Sequence, residues 1–287
     1  MHDAIRAMIE KRAPRSQVDY DRAIREVLQE AALAGLWRRG FFDKTAFYGG
    51  TALRLFHGLD RFSEDLDFSL VAPDPEWRLE DRLAGLKEEI EAFGFSVRVE
   101  AKSHAQVESA FIKANTKINF VRIEAPVEVS RGVESNRLVK IKLEVDTDPP
   151  ARIATEVKTL LEPFPVSVRL ATMPILFSGK IHACLCRSWK DRVKGRDWYD
   201  FLFFIARAAT PDLVQLEARL RQSGHWSGDR ILGADDARLM LTRRIAEVDW
   251  IKARDDVAPF VRDPRSLELW GKELFAEAAG RIAWELG

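Results

Sequence analysis

Asp65 and Asp67 occupy alternate positions of DLDFSLV, a run that otherwise alternates as a half-buried strand does. Alternation places Asp65, Asp67 and Ser69 on one face and Leu66, Phe68 and Leu70 on the other. Two carboxylates about 7 Å apart along a strand repel each other unless a cation lies between them. Mg²⁺, or Mn²⁺ in its place, suits such a pair, because a hard ion takes carboxylate, water and substrate-phosphate oxygens. A bare Asp-x-Asp is equally the mark of a solvated polar strand face, so its neighbours must decide.

A second alternating run, KIKLEVD, turns Ile141, Leu143 and Val145 one way and Lys142, Glu144 and Asp146 the other. It offers a third carboxylate: Glu144 from mid-strand, or Asp146, which can also end the strand before Thr147-Asp148-Pro149-Pro150. Upstream stand Gly49, Gly50 and Thr51, with Asp65 fourteen residues beyond the threonine. Glycines let backbone N–H groups approach a phosphate, the following helix turns its positive end to it, and the Thr51 hydroxyl can add a hydrogen bond. Three carboxylates on one sheet face beside a Gly-Gly turn suit two-metal phosphoryl or nucleotidyl transfer.

The elements that must hold these residues are legible as periods. Ser16 to Trp37 has helical spacing and Gly40 marks its end; KTAFYGGT reads as a short strand breaking at the glycines; TALRLFHG is a helix of one or two turns. DLDFSLV ends at Pro73 and Pro75, and Trp77 to Phe93 is an amphipathic helix. Four strand-like runs follow, FSVRVEA, TKINFVRIEA, RLVKIKLEVD and PVSVRLA. From Pro174 onward the period is helical, through PILFSGKIHACLCR, RDWYDFLFFIARAA, DLVQLEARLRQSG, DDARLMLTRRIAEV and SLELWGKELFAEAAGRIAWEL. The expectation is an α+β chain, a mixed sheet with helices in residues 1–172 followed by an all-helical half in residues 173–287.

Bulk numbers narrow the class. The 287 residues are 46% hydrophobic and 31% charged, as in ordinary folded proteins, and 45 basic side chains balance 45 acidic ones, so net charge selects no polyanion partner. Cys184 and Cys186 lie one residue apart on a helix and point away from each other, which fits structural thiols in a reducing compartment. The start has no apolar leader core and no window reaches the roughly 18 apolar residues of a membrane span. A cytoplasmic, membrane-free protein is expected.

Lys180 and Arg187, seven residues apart, share a helix face. Asp197 and Asp200 share a face of the next helix, where Arg196 and Asp200 are spaced to pair; structurally this can be an N-cap with a salt bridge. Between the helices, Arg187, Lys190, Arg192, Lys194 and Arg196 surround Trp189, with Asp191 the one acid. Basic residues with an interleaved aromatic suit an RNA backbone and a stacked base, as they suit a solvated loop.

With these residues in order, GGTALRL…RFSEDLDFS resembles the opening motif of the nucleotidyltransferase-fold superfamily. More narrowly, with Lys180 in FSGKIHACLCR and the run KGRDWYDF, it is similar to the AbiEii/AbiGii toxin family of type IV toxin–antitoxin and phage-defence systems. The gap between Gly-Gly-Thr and Asp-x-Asp is slightly longer than is usual in the wider superfamily, and the tail after about residue 210 carries no signature. The resemblance implies metal ligation by Asp65, Asp67 and Glu144, and catalytic parts for those three with Lys180 and Asp197. It also implies NTP binding by Gly49, Gly50, Thr51, Lys180, Arg196 and Asp200. The implied donor is an NTP, the implied acceptor the 3′ end of tRNA, and the implied partner a cognate antitoxin whose direct binding the sequence leaves open. A transferase acting on a small-molecule or protein hydroxyl, or a nucleotide-binding module without turnover, are the alternatives.

Overall fold

The computed structural model describes residues 3–104, 107–115, 138–187 and 193–284. The chain divides into two compact units. One comprises residues 1–52, 64–149 and 155–170; the other comprises residues 53–63, 150–154 and 171–287. The segment 53–63, which leads into Asp65, thus folds with the helical residues.

The first unit begins with α1 (Asp3–Glu10) and α2 (Gln17–Arg38). Ser16 caps α2: its hydroxyl accepts from the Asp19 N–H while the Asp19 carboxylate accepts from the Ser16 N–H. Gly40, at φ 65°, follows the helix as its spacing predicts. Next come β1 (Thr45–Tyr48), α3 (Gly49–His57), β2 (Leu66–Leu70) and α4 (Glu80–Ala92). The remaining strands are β3 (Val97–His104), β4 (Val107–Asn115), β5 (Leu138–Asp146), β6 (Thr155–Leu160) and β7 (Val166–Ala171).

These strands form one seven-stranded mixed sheet in the order β3-β4-β5-β2-β1-β7-β6. β2 runs antiparallel to β1 and parallel to β5, while β1 runs parallel to β7. The apolar sides of β1 and β2 meet in a ring cluster, Phe47 stacked on Phe68 at 4.9 Å and Phe41 edge-on to Phe68 at 4.8 Å. Leu66, Ile141, Leu143 and Val145 complete a face withdrawn from solvent. Burial of that face fixes the strand register, since a slip of one residue would turn every carboxylate inward.

Two strands escape the sequence pattern. VESAFIKAN forms β4 with Glu108 on its buried side, where the carboxylate accepts from the Leu79 N–H just before α4. TEVKTL forms the edge strand β6, which has no continuous apolar face and leaves Val157 63% exposed. The expected strand TKINFVRIEA lies outside the described residues.

The second unit contains α5 (Met173–Cys186), α6 (Gly195–Ala206), α7 (Leu213–Gln222), α8 (Ala234–Glu247), α9 (Trp250–Val257) and α10 (Lys272–Gly280). Its centre is aromatic: Trp250 stacks on Phe275 at 4.0 Å, and Trp198, fully buried, meets both edge-on. Gly195 lets α6 approach α9, since a Cβ there would stand 1.8 Å from the Ala253 carbonyl oxygen. No helix among the described residues is long and apolar enough to cross a membrane.

Candidate active site

In the sheet unit, register brings the carboxylates together. Asp67 on β2 lies directly beside Glu144 on parallel β5, and Asp146 lies beside Ser69. Adjacent strands are about 4.8 Å apart, so Asp67 and Glu144 are same-face neighbours. Asp65 precedes β2 by one residue. Across β1, the partner of Asp67 is Tyr48, and the chain turns immediately after it at Gly49. Gly49 has φ 79°, and a Cβ there would lie 2.5 Å from Asp67 Oδ2. Both conformation and space therefore demand glycine at this position.

Gly49 and Gly50 are the first residues of α3, which begins two residues earlier than the apolar spacing indicates. Their position at the helix start keeps the expected polarity, with unsatisfied N–H groups and positive potential at that end. Thr51 differs from expectation. It is fully buried, and its Oγ1 donates to the Asp65 carbonyl oxygen at 2.5 Å, so its hydroxyl fastens the Asp-x-Asp segment to α3. Arg25 on α2 adds a second fastening by pairing with Glu64.

Glu144 Oε1 accepts from Lys142 Nζ at 2.5 Å, a pair on one face of β5. Among the described residues, no group of three His, Cys, Asp or Glu side chains could by itself hold a metal ion. The donor set nonetheless fits Mg²⁺ chemically. That ion is ordinarily held by one or two carboxylates, with water and substrate phosphates completing its shell, and Asp67 with Asp65 or Glu144 supplies that complement.

The helical unit gathers a second cluster. Lys180 Nζ lies 2.8 Å from Asp197 Oδ1 and 2.8 Å from Asp200 Oδ2. Arg187, just past the end of α5, reaches Asp197 Oδ2 at 2.7 Å. The seven-residue spacing thus delivers both cations to the two oxygens of one carboxylate. Asp197 is 3% exposed and Asp200 is completely buried. Burial alone would raise the Asp197 carboxyl, but Lys180 and Arg187 outweigh it and hold the group below the usual range. Burial likewise opposes the Lys180 ammonium, and Asp197 and Asp200 reverse the balance, holding its pKa above the ordinary value.

Sequence spacing missed the partner of Asp200. Arg61 donates through Nε to Oδ1 and through Nη2 to Oδ2, both at 2.6 Å, a bidentate pair with the arginine 3% exposed. The expected i,i+4 partner, Arg196, instead places its guanidinium 4.2 Å over the Phe260 ring. The N-cap of α6 is Lys194, with no side-chain capping bond. Arg61 opens the stretch RFSEDLDFS, and no local signal pointed to it, because Arg187 and Arg196 already offered cations at helical spacing.

Of the expected RNA-contacting cations, Arg187 is half-exposed and Lys194 begins α6, while Lys190 and Arg192 lie outside the described residues. Cys184 is buried, Cys186 half-buried, and both are free. Burial pushes the Cys184 thiol well above its ordinary range, consistent with an inert structural role.

Comparison with known proteins bears on the fold and the family. The solved structure of JHP933 from Helicobacter pylori is similar in fold, at 20% identity and TM-score 0.51, covering 90% of this chain and 88% of that one. MenT4, a nucleotidyltransferase toxin from Mycobacterium tuberculosis H37Rv, is similar at 16% identity and TM-score 0.52, covering 96% and 88%. No curated protein matches the chain in sequence. The family described as "Nucleotidyl transferase AbiEii toxin, Type IV TA system" matches residues 31–278, which carry both carboxylate clusters; the chain belongs to that family and is a nucleotidyltransferase.

Proposed function

We propose that the chain transfers nucleotides from an NTP to the 3′ end of an RNA, tRNA in particular, in a Mg²⁺-dependent reaction that blocks translation and arrests growth. The observation that carries this is the registered pair Asp67–Glu144 with Gly49 against Asp67. Asp65, Asp67 and Glu144 are the residues that would hold the cation, and Thr51 holds Asp65 in place through its carbonyl. A divalent cation bound there would neutralise phosphate charge and lower the pKa of the attacking hydroxyl. Gly49 and Gly50 turn the N–H groups of α3 towards the β- and γ-phosphates.

Lys180 donates to Asp197 Oδ1 and is ion-paired with Asp200 Oδ2, both at 2.8 Å. Its ammonium would offset phosphate charge, and Arg187, with Arg196 nearby in sequence, would extend the positive charge towards nucleotide or RNA phosphate. The acceptor hydroxyl oxygen gives its proton to solvent and attacks the α-phosphorus as the bond to the bridging oxygen breaks, and pyrophosphate leaves with the electron pair. Family membership implies an antitoxin and an NTP substrate. A toxin that acts on tRNA works in the cytoplasm.

The test is incubation of the purified protein with Mg²⁺, each labelled NTP in turn, and total tRNA, with Asp67→Asn as control. Label in RNA that is lost in the variant supports the proposal. Label confined to the protein or to a small-molecule acceptor, with RNA unlabelled for all four nucleotides, overturns the choice of acceptor.

A further inference from the structure

We infer that Arg61 is a positioning residue of this transferase, fixing Lys180 through Asp200. The five charges form an unbroken series: Arg61 to Asp200, Asp200 to Lys180, Lys180 to Asp197, Asp197 to Arg187. Arg61 occupies both oxygens of Asp200, so that carboxylate cannot rotate, and Oδ2 presents a fixed acceptor to the Lys180 ammonium. Its remaining Nη1 donates to the Phe62 carbonyl at 2.8 Å, tying the guanidinium to its own backbone. The neighbouring residues repeat the attachment: Tyr199, beside Asp200, donates to Asp60, beside Arg61, at 2.6 Å. The Phe62 N–H donates to the Phe260 carbonyl at 2.8 Å.

Stability does not account for this arrangement. Withdrawing a guanidinium and a carboxylate from water costs several kcal/mol, and apolar residues of similar volume commonly hold a fold as well or better. What a bidentate buried pair supplies is a fixed direction, because the planar fork sets both the distance and the plane of the carboxylate. The group that uses this direction is Lys180. An ammonium on a four-carbon stem has many rotamers, and a hydrogen bond to Asp197 Oδ1 together with an ion pair to the fixed Asp200 Oδ2 restricts them. Without Arg61, Asp200 is free to turn about its side-chain bonds and Lys180 moves with it.

The experiment compares Arg61→Leu, Arg61→Lys and the double variant Arg61→Leu/Asp200→Leu in the full chain. Three quantities are read: melting temperature, NTP-dependent kcat and KM, and the rate at which an amine-acylating reagent modifies Lys180, mapped by mass spectrometry. Arg61→Leu is expected to melt lower, to lose about tenfold or more in kcat with a smaller change in KM, and to show several-fold faster Lys180 acylation. Arg61→Lys recovers little, because one ammonium cannot make both bonds. The double variant removes the buried unmatched charge and recovers melting temperature, yet kcat stays low and acylation stays fast. A double variant with wild-type kcat, or an Arg61→Leu protein whose Lys180 reacts at the wild-type rate, overturns the inference. Should wild-type protein label no RNA, the acceptor proposal fails while melting and acylation still decide the role of Arg61.

Discussion

Replacing Gly49 by alanine tests the sheet site at its tightest point. At φ 79° an alanine is in the left-handed region, which costs a non-glycine residue about 1–2 kcal/mol. The new Cβ would stand 2.5 Å from Asp67 Oδ2 and 3.1 Å from Asp67 Cβ, so the carboxylate must retreat about 0.9 Å to reach an ordinary contact at 3.4 Å. Crowding of this kind adds about 1 kcal/mol or more. A total of about 2–3 kcal/mol lowers the melting temperature by roughly 5–10 °C. The effect on activity is larger in proportion, since a catalytic group misplaced by about 1 Å loses on the order of a hundredfold in rate. Calorimetry and labelled-NTP transfer are run beside Gly280→Ala, where a Cβ meets nothing within 4 Å and neither quantity should fall. A Gly49→Ala protein with kcat within about threefold of wild type would show that Asp67 is not held where the chemistry needs it.

The remaining expectations can be read on the same preparations. Glu144→Gln lowers transfer by about tenfold or more while Asp146→Asn stays near wild type, because only Glu144 is registered beside Asp67; equal losses would reject that distinction. Glu30, buried against Arg12, has its carboxyl raised from 4.5 to about 7 by desolvation, which the Arg12 charge only partly offsets. Its folded-state value lies above its unfolded one, so its contribution is fully present below pH 4.5 and is lost as pH rises through about 7. Urea unfolding should accordingly show stability falling by up to about 1.4 kcal/mol per pH unit in that window, and Glu30→Gln should flatten the slope. Mg²⁺ without nucleotide should raise the melting temperature, by about 1.4 kcal/mol of stability at ten times its dissociation constant, and Lys142→Met should enlarge the response by removing the cation paired with Glu144. An Mg²⁺ titration that shifts neither protein would count against cation binding by these carboxylates.

What the sequence discloses here follows from which forces are local. The alternation of DLDFSLV and KIKLEVD reports burial on one sheet face, so the residue order by itself says which carboxylates share that face. Their adjacency is not legible in the same way, because strand order and register depend on pairing across nearly eighty residues. The helix α2 is legible to within one residue at either end, since Ser16 and Gly40 are local signals. β4 is not, because Glu108 interrupts its apolar side to satisfy an N–H before α4, a tertiary requirement. α9 escapes the period because eight residues carrying Lys252, Arg254, Asp255 and Asp256 give only a weak one. In the helical unit, the spacing of Lys180, Arg187, Asp197 and Asp200 predicts shared faces correctly, while the Arg196–Asp200 pairing yields to an arginine 139 positions away. Helical spacing says which residues can meet, and a buried carboxylate takes whichever cation the fold delivers with both oxygens in reach.

The two clusters differ in what they still require. The register of β2 with β5 sets Asp67 and Glu144 side by side on one face, where like charges directly opposite each other are destabilising. Lys142 relieves Glu144 in part, and a divalent cation would relieve both carboxylates at once. The helical cluster has the opposite balance: Arg61, Lys180 and Arg187 exceed Asp197 and Asp200 by one positive charge, with the surplus towards half-exposed Arg187. Taken separately, the sheet cluster calls for a cation and the helical cluster for an anion, so Asp67→Asn should weaken the Mg²⁺-induced rise in melting temperature while Arg187→Ala should leave that rise unchanged.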